Sequence, residues 1–88
     1  MDKPRVEIYT ADYCGYCHQA KQLLDRKGIQ YAEIRVDLDA AKRDEMITRT
    51  GRRTVPEILI DDELIGGFDD LWAYEQSGEL DKKWGKSR

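Results

Sequence analysis

Cys14 and Cys17, three positions apart, are the only two cysteines in this chain of 88 residues, and they carry the chemistry most directly readable from it. They bracket Gly15 and Tyr16, where an apolar run (Val6, Ile8, Tyr9) gives way to a helical pattern. On a helix, a spacing of three puts both sulfurs on one face. At the first turn, the outer sulfur also meets unpaired backbone N–H groups and the positive end of the helix dipole. Both effects favour the thiolate, which is the reactive form of cysteine. The pair reads as a redox centre in which Cys14 attacks and Cys17, inside the first turn, resolves the mixed disulfide. A disulfide closing so short a loop adds little stability, so a purely structural role fits poorly.

Other chemistries use the same residues. Cys14-Gly15-Tyr16-Cys17-His18 has the spacing of a c-type haem attachment site. Such chains are exported, and Met1-Asp2-Lys3-Pro4-Arg5 lacks the apolar region of a signal peptide. A closed zinc site wants four ligands, and two cysteines with the single histidine, His18, fall short. No metal ligand is therefore assigned at this point, and His18 is expected on the helix surface.

Two further segments have the makings of a ligand site. In Thr54-Val55-Pro56, a proline at the mouth of a strand has no N–H to give to the ladder. A cis proline there would hold the preceding backbone exposed for an extended, peptide-like ligand, and a plain edge proline is the alternative. Arg52 and Arg53 just before it are candidate carboxylate partners, or ordinary solvated charge. In Gly66-Gly67-Phe68-Asp69-Asp70, the glycines admit close approach and the following helix start offers N–H groups to a carboxylate. Asp69 and Asp70 suit an ammonium group. Taken alone, this segment is a glycine turn with an aspartate helix cap.

The elements that must position these groups follow from periodicity. Residues 5–9 alternate as a first strand, and 16–27 show helical spacing closed by Gly28. Residues 29–36 form a second strand. Asp39 caps a second helix whose inner side is Ala41, Met46 and Ile47 and whose end is Gly51. Residues 55–60 and 63–65 make an antiparallel hairpin around Asp61-Asp62. Asp69 or Asp70 opens a third helix, closed by Ser77-Gly78. The order β-α-β-α-β-β-α calls for an α/β fold with a four-stranded mixed sheet flanked by helices. One domain over residues 1–88 is expected, with its core at about 5–80 and a charged tail at 81–88, where Leu80 and Trp84 pack back on the domain.

Composition narrows the function classes. The chain is 40% apolar and 38% charged, as a folded, soluble domain should be. Its net charge of −3, from 15 basic and 18 acidic residues, argues against a general nucleic-acid binder. No apolar stretch approaches a membrane span. A cytoplasmic location is expected, where a Cys-x-x-Cys pair is catalytic or metal-binding rather than a staple.

Taken together, Tyr9-Thr10, Cys14-Gly15-Tyr16-Cys17, Thr54-Val55-Pro56 and Gly66-Gly67-Phe68-Asp69-Asp70 resemble, in order and spacing, the motifs of bacterial dithiol glutaredoxins. The resemblance implies a thioredoxin-like (glutaredoxin) fold and a glutathione-dependent thiol–disulfide oxidoreductase. It implies glutathione, protein disulfides and glutathionylated proteins as partners, with no nucleic acid and no membrane. Cys14 becomes the nucleophile that takes up glutathione and Cys17 the resolving thiol. Tyr16, Arg52, Thr54, Val55, Pro56, Gly67, Phe68, Asp69 and Asp70 fall where the family contacts glutathione. The Val55 backbone would pair with the cysteinyl unit, Asp69 and the helix start would hold the γ-glutamyl end, and Arg52 would meet the glycyl carboxylate.

Two departures stand out. The family often has proline where this chain has Gly15, so the loop should be looser. It also often has a lysine shortly before the first cysteine, where this chain reads Ala11-Asp12-Tyr13. The Cys14 thiolate is therefore expected to be less strongly favoured than in members with that lysine. Gly15 also opens room for an alternative, a 2Fe-2S cluster ([2Fe-2S]) bridged between two subunits. Each subunit would give Cys14, and two glutathiones would give the remaining thiolates. The chain is expected to be a monomer, and a dimer only with that cluster. A redoxin served by thioredoxin reductase is a further reading, which the Gly-Gly-Phe-Asp-Asp segment disfavours.

Overall fold

The structure, a computed structural model, describes residues 4–84. Strand β1 (Val6–Thr10) sends Val6 and Ile8 into one core and Tyr9 into a second. Both faces of the strand are thus covered, and Tyr9 is as buried as Ile8. Strand β2 (Ala32–Arg35) runs parallel to β1, with Ile34 opposite Tyr9. Strand β3 (Glu57–Ile60) pairs antiparallel with β1 on one side and with β4 (Glu63–Gly66) on the other. The sheet order is β2-β1-β3-β4. All four residues of β3 are buried, as befits a central strand between covered faces. Asp61 and Asp62, with φ of 51° and 67°, form the tight hairpin turn, whose twist matches the strands.

Helix α1 (Gly15–Arg26) covers one face with Cys17, Ala20, Leu23 and Leu24. Helix α2 (Ala40–Thr50) covers the other with Met46. The Asp39 carboxylate accepts the Ala41 N–H at 2.9 Å, and Gly51 (φ 72°) ends the helix. Ala41, expected on the inner side, is exposed. At about 100° per residue it stands about 140° around the helix from Met46, so one narrow stripe cannot hold both.

The elements follow the expected order; several boundaries move by a single residue, and three shifts have a clear physical cause. The second strand pairs over Ala32–Arg35 rather than 29–36, because Ile29 turns into the core while its N–H closes the end of α1 on Leu24. Val55 and Pro56 precede β3 instead of opening it. Helix α3 (Phe68–Gln76) starts ahead of Asp69, with Gly67 as its cap, because the Asp70 carboxylate accepts the Gly67 N–H at 3.1 Å from inside the first turn.

A short fourth helix, α4 (Glu79–Lys83), was not expected. It buries Leu80 completely and brings Trp84 against the same core. Asp81 is also buried and pairs with Lys27 at 2.8 Å. Residues 81–83, expected as the start of a charged tail over 81–88, are the last residues of this packed helix, and 85–88 lies outside the described residues. Among the described residues, no helix is long and apolar enough to cross a membrane.

Candidate active site

From the end of β1 the chain turns through Ala11, whose carbonyl accepts the Cys14 N–H at 3.2 Å. Cys14 then caps α1. Its sulfur accepts the Cys17 N–H at 3.1 Å, the place usually taken by a serine or aspartate oxygen. The Cys14 thiol donates to the Val55 carbonyl at 3.5 Å, joining the helix start to the segment ahead of β3. Cys14 is half-buried, whereas Cys17 is fully buried. Burial foremost, and then the hydrogen bond to Cys14, pushes the Cys17 thiol up to about 12. Lys21, one turn further along α1, opposes that shift. At neutral pH Cys17 thus keeps its proton, and Cys14 is the sulfur that solvent reaches.

No lysine stands in the Ala11-Asp12-Tyr13 turn that leads into Cys14. Asp12 is exposed, and its N–H donates to Asp37 at 3.2 Å. Arg35 grips Asp37 at two points, 2.7 and 2.6 Å, and holds its carboxyl down at about 2. His18 is exposed, with its Nε2 3.4 Å from the Asp12 carbonyl. Gly15 is exposed too, and a Cβ there would meet nothing within 4 Å beyond its chain neighbours and its own helix.

Beside the cysteines lies a groove of about 270 Å³. Tyr16 of α1 stands at its rim, stacked on Phe68 of α3 with centroids 6.2 Å apart. Arg52, Thr54, Val55 and Pro56 form one wall, and the Val55–Pro56 bond is cis. Gly67, Phe68, Asp69 and Asp70 form the other. All nine residues expected to meet a ligand thus line a single groove. Arg53 does not belong with them; it is exposed, and its carbonyl accepts from Arg43 at 3.4 Å.

Gly66 makes the second wall possible. Its φ of 124° belongs to a region open to glycine, and a Cβ there would run into the Asp70 carboxylate. The groove also contains a residue that the sequence reading passed over. Glu57, at the start of β3, lines it with a side chain only 1% exposed. The available signal was an acidic residue heading the otherwise apolar run Ile58-Leu59-Ile60.

The family profile of the glutaredoxins matches residues 6–65. The chain belongs to the glutaredoxin family. It is 57% identical over 76 residues to Glutaredoxin 3 of Escherichia coli (strain K12), a match covering 86% of this chain and 92% of that protein. Among solved structures, the glutaredoxin from Brucella melitensis superposes with a TM-score of 0.81 at 43% identity, over 100% of this chain and 98% of that one. A buckwheat glutaredoxin–glutathione complex superposes with a TM-score of 0.83 at 30% identity, covering 93% and 77%. As a glutaredoxin, the protein is a thiol–disulfide oxidoreductase.

Proposed function

We propose that this glutaredoxin draws its electrons from glutathione and reduces protein disulfides and protein–glutathione mixed disulfides at Cys14. The observation that carries this reading is the groove: the nine residues lie together in it, and its Val55 carbonyl touches the half-buried Cys14 sulfur. The glutathione complex of the buckwheat relative supports the same assignment.

In deglutathionylation the Cys14 thiolate attacks the glutathione sulfur of the substrate. The substrate's S–S bond breaks, its thiolate leaves with a proton from solvent, and Cys14 holds glutathione as a mixed disulfide. A second glutathione thiolate then attacks the glutathione sulfur of that mixed disulfide, releasing oxidised glutathione and the Cys14 thiolate. In the dithiol route Cys17 gives up its proton and attacks the Cys14 sulfur, so that the protein forms its own disulfide and the bound thiol departs. Burial of Cys17 keeps this second step waiting until a mixed disulfide has formed. The Val55 backbone pairs with the cysteinyl unit. The α3 start with Asp69 receives the γ-glutamyl end, and Arg52 receives the glycyl carboxylate. The cytoplasm, where glutathione keeps thiols reduced, is the compartment this activity calls for.

The test is turnover with glutathione by the wild type and two variants. Cys14→Ser abolishes all activity, while Cys17→Ser keeps deglutathionylation and loses only the reduction of protein disulfides by the dithiol route. Loss of deglutathionylation in the Cys17 variant would overturn this division of labour.

A second reading, a 2Fe-2S cluster bridged between two copies, is favoured by the open space at Gly15. Among the described residues, no group of three or more His, Cys, Asp and Glu converges within one copy. The ligands would be Cys14 from each subunit with two glutathione thiolates, a thiolate set that suits iron. Anaerobic reconstitution with iron, sulfide and glutathione should give a coloured dimer. A colourless monomer removes the reading.

A further inference from the structure

Glu57 is the groove carboxyl that the exchange chemistry leaves without a task. Its Oε2 accepts from the Thr54 hydroxyl at 3.2 Å. Its Oε1 is buried without a hydrogen-bond partner among the described residues. Such an oxygen needs a partner, because an unsatisfied buried polar atom is costly.

The groups around it are few. From the segment ahead of β3, Arg52 places Nη1 3.7 Å from Glu57 Oε1 and 3.7 Å from Oδ2 of Asp70 on α3. At that distance the guanidinium attracts both carboxylates and hydrogen-bonds to neither. On β1 the residue opposite Glu57 is Tyr9, whose hydroxyl is held by Glu45 and Arg49 of α2. The groove therefore carries three carboxylates, Glu57, Asp69 and Asp70, against the single guanidinium of Arg52. Burial already raises the Glu57 carboxyl above the ordinary range, with Asp70 adding to the shift and Thr54 and Arg52 opposing it.

A ligand carboxylate that engages Arg52 draws its charge off Glu57. What remains is an ionised carboxyl, buried, with one hydroxyl for company, and such a group is strongly disfavoured. We propose that Glu57 takes up a proton from solvent when an acid-bearing, peptide-like thiol occupies the groove, so that a neutral Glu57 is part of what the groove recognises. The ligand chemistry rests on the glutathione reading above. Glu57 is a specificity-determining residue that acts through Arg52; the one bond formed in this step is the Glu57 O–H, with the proton drawn from solvent.

The experiment uses full-length protein carrying Cys17→Ser, both free and as its Cys14–glutathione mixed disulfide. Carbon-13 NMR follows the Glu57 carboxyl through a pH titration, with Glu57→Gln identifying the resonance by its loss. The midpoint should be higher by about one pH unit or more in the mixed disulfide. An unchanged or lower midpoint, with the Val55, Asp69 and Asp70 amides shifted by glutathionylation, overturns the proposal and leaves the glutathione site standing. If those amides do not respond, both fall together. The glutathionylation equilibrium of the Cys17→Ser protein, with and without Glu57→Gln, gives a second reading in which ionisation of Cys14 and of glutathione cancels. The ratio should fall with rising pH by up to about tenfold per unit across the Glu57 titration, and parallel profiles overturn the idea.

Discussion

Cys14 and Cys17 share a side chain and differ in surroundings, and the difference has a thermodynamic signature. A thiol that releases its proton near 9.0 in the unfolded chain and near 12 in the folded one favours folding while it stays protonated. That contribution is complete below about pH 9 and is lost as pH rises toward about 12, because the unfolded chain then releases a proton that the folded chain still holds. Urea unfolding of the reduced wild type beside Cys17→Ala, across that window, should show the wild type losing its advantage over the variant steadily. A constant difference between the two would contradict the burial argument. At this scale much of the site is legible in the sequence. Cys14 and Cys17 declare themselves because a spacing of three at a helix start is local information. Glu57 does not, because what makes it unusual is the covering of both faces of β3, which depends on residues far away in the chain.

At the scale of elements, α3 is where backbone and site meet most tightly. Gly66→Ala should cost about 1–3 kcal/mol, from the left-handed backbone and from the displaced Asp70 carboxylate. It should also raise KM for glutathione, since Asp70 holds the Gly67 N–H that begins the helix. Chemical denaturation and steady-state kinetics measure the two effects separately. The helices with strong caps are legible beforehand: Asp39 and Gly51 mark α2 at both ends. The start of α3 is less so, because Asp70 caps backward from within the first turn while a reading by residue type puts an aspartate at the cap itself. Helix α4 is illegible for a different reason. Five residues span little more than one turn, too few to show a period, and only the anchors Leu80 and Trp84 hint that the segment packs.

Across the whole molecule, two helices on one face and one on the other enclose the sheet, and α4 packs Leu80 and Trp84 against the core that α1 covers, with Asp81 paired to Lys27 just past the end of α1. Leu80 is completely buried, so Leu80→Ala should lower stability by about 2–5 kcal/mol. The melting temperature reports the loss, while turnover at low temperature should stay near the wild-type value because Leu80 lines no part of the groove. A variant as stable as the wild type would mean that α4 adds nothing to the core. The unequal exposure of the two sulfurs has a practical consequence at this scale. A reagent that adds a mass tag to accessible thiols marks the native reduced chain once and the unfolded chain twice. Counting tags by mass spectrometry therefore turns the active site into a gauge of how much of the population is folded, in a lysate or a living cell, without any engineered cysteine or fused reporter.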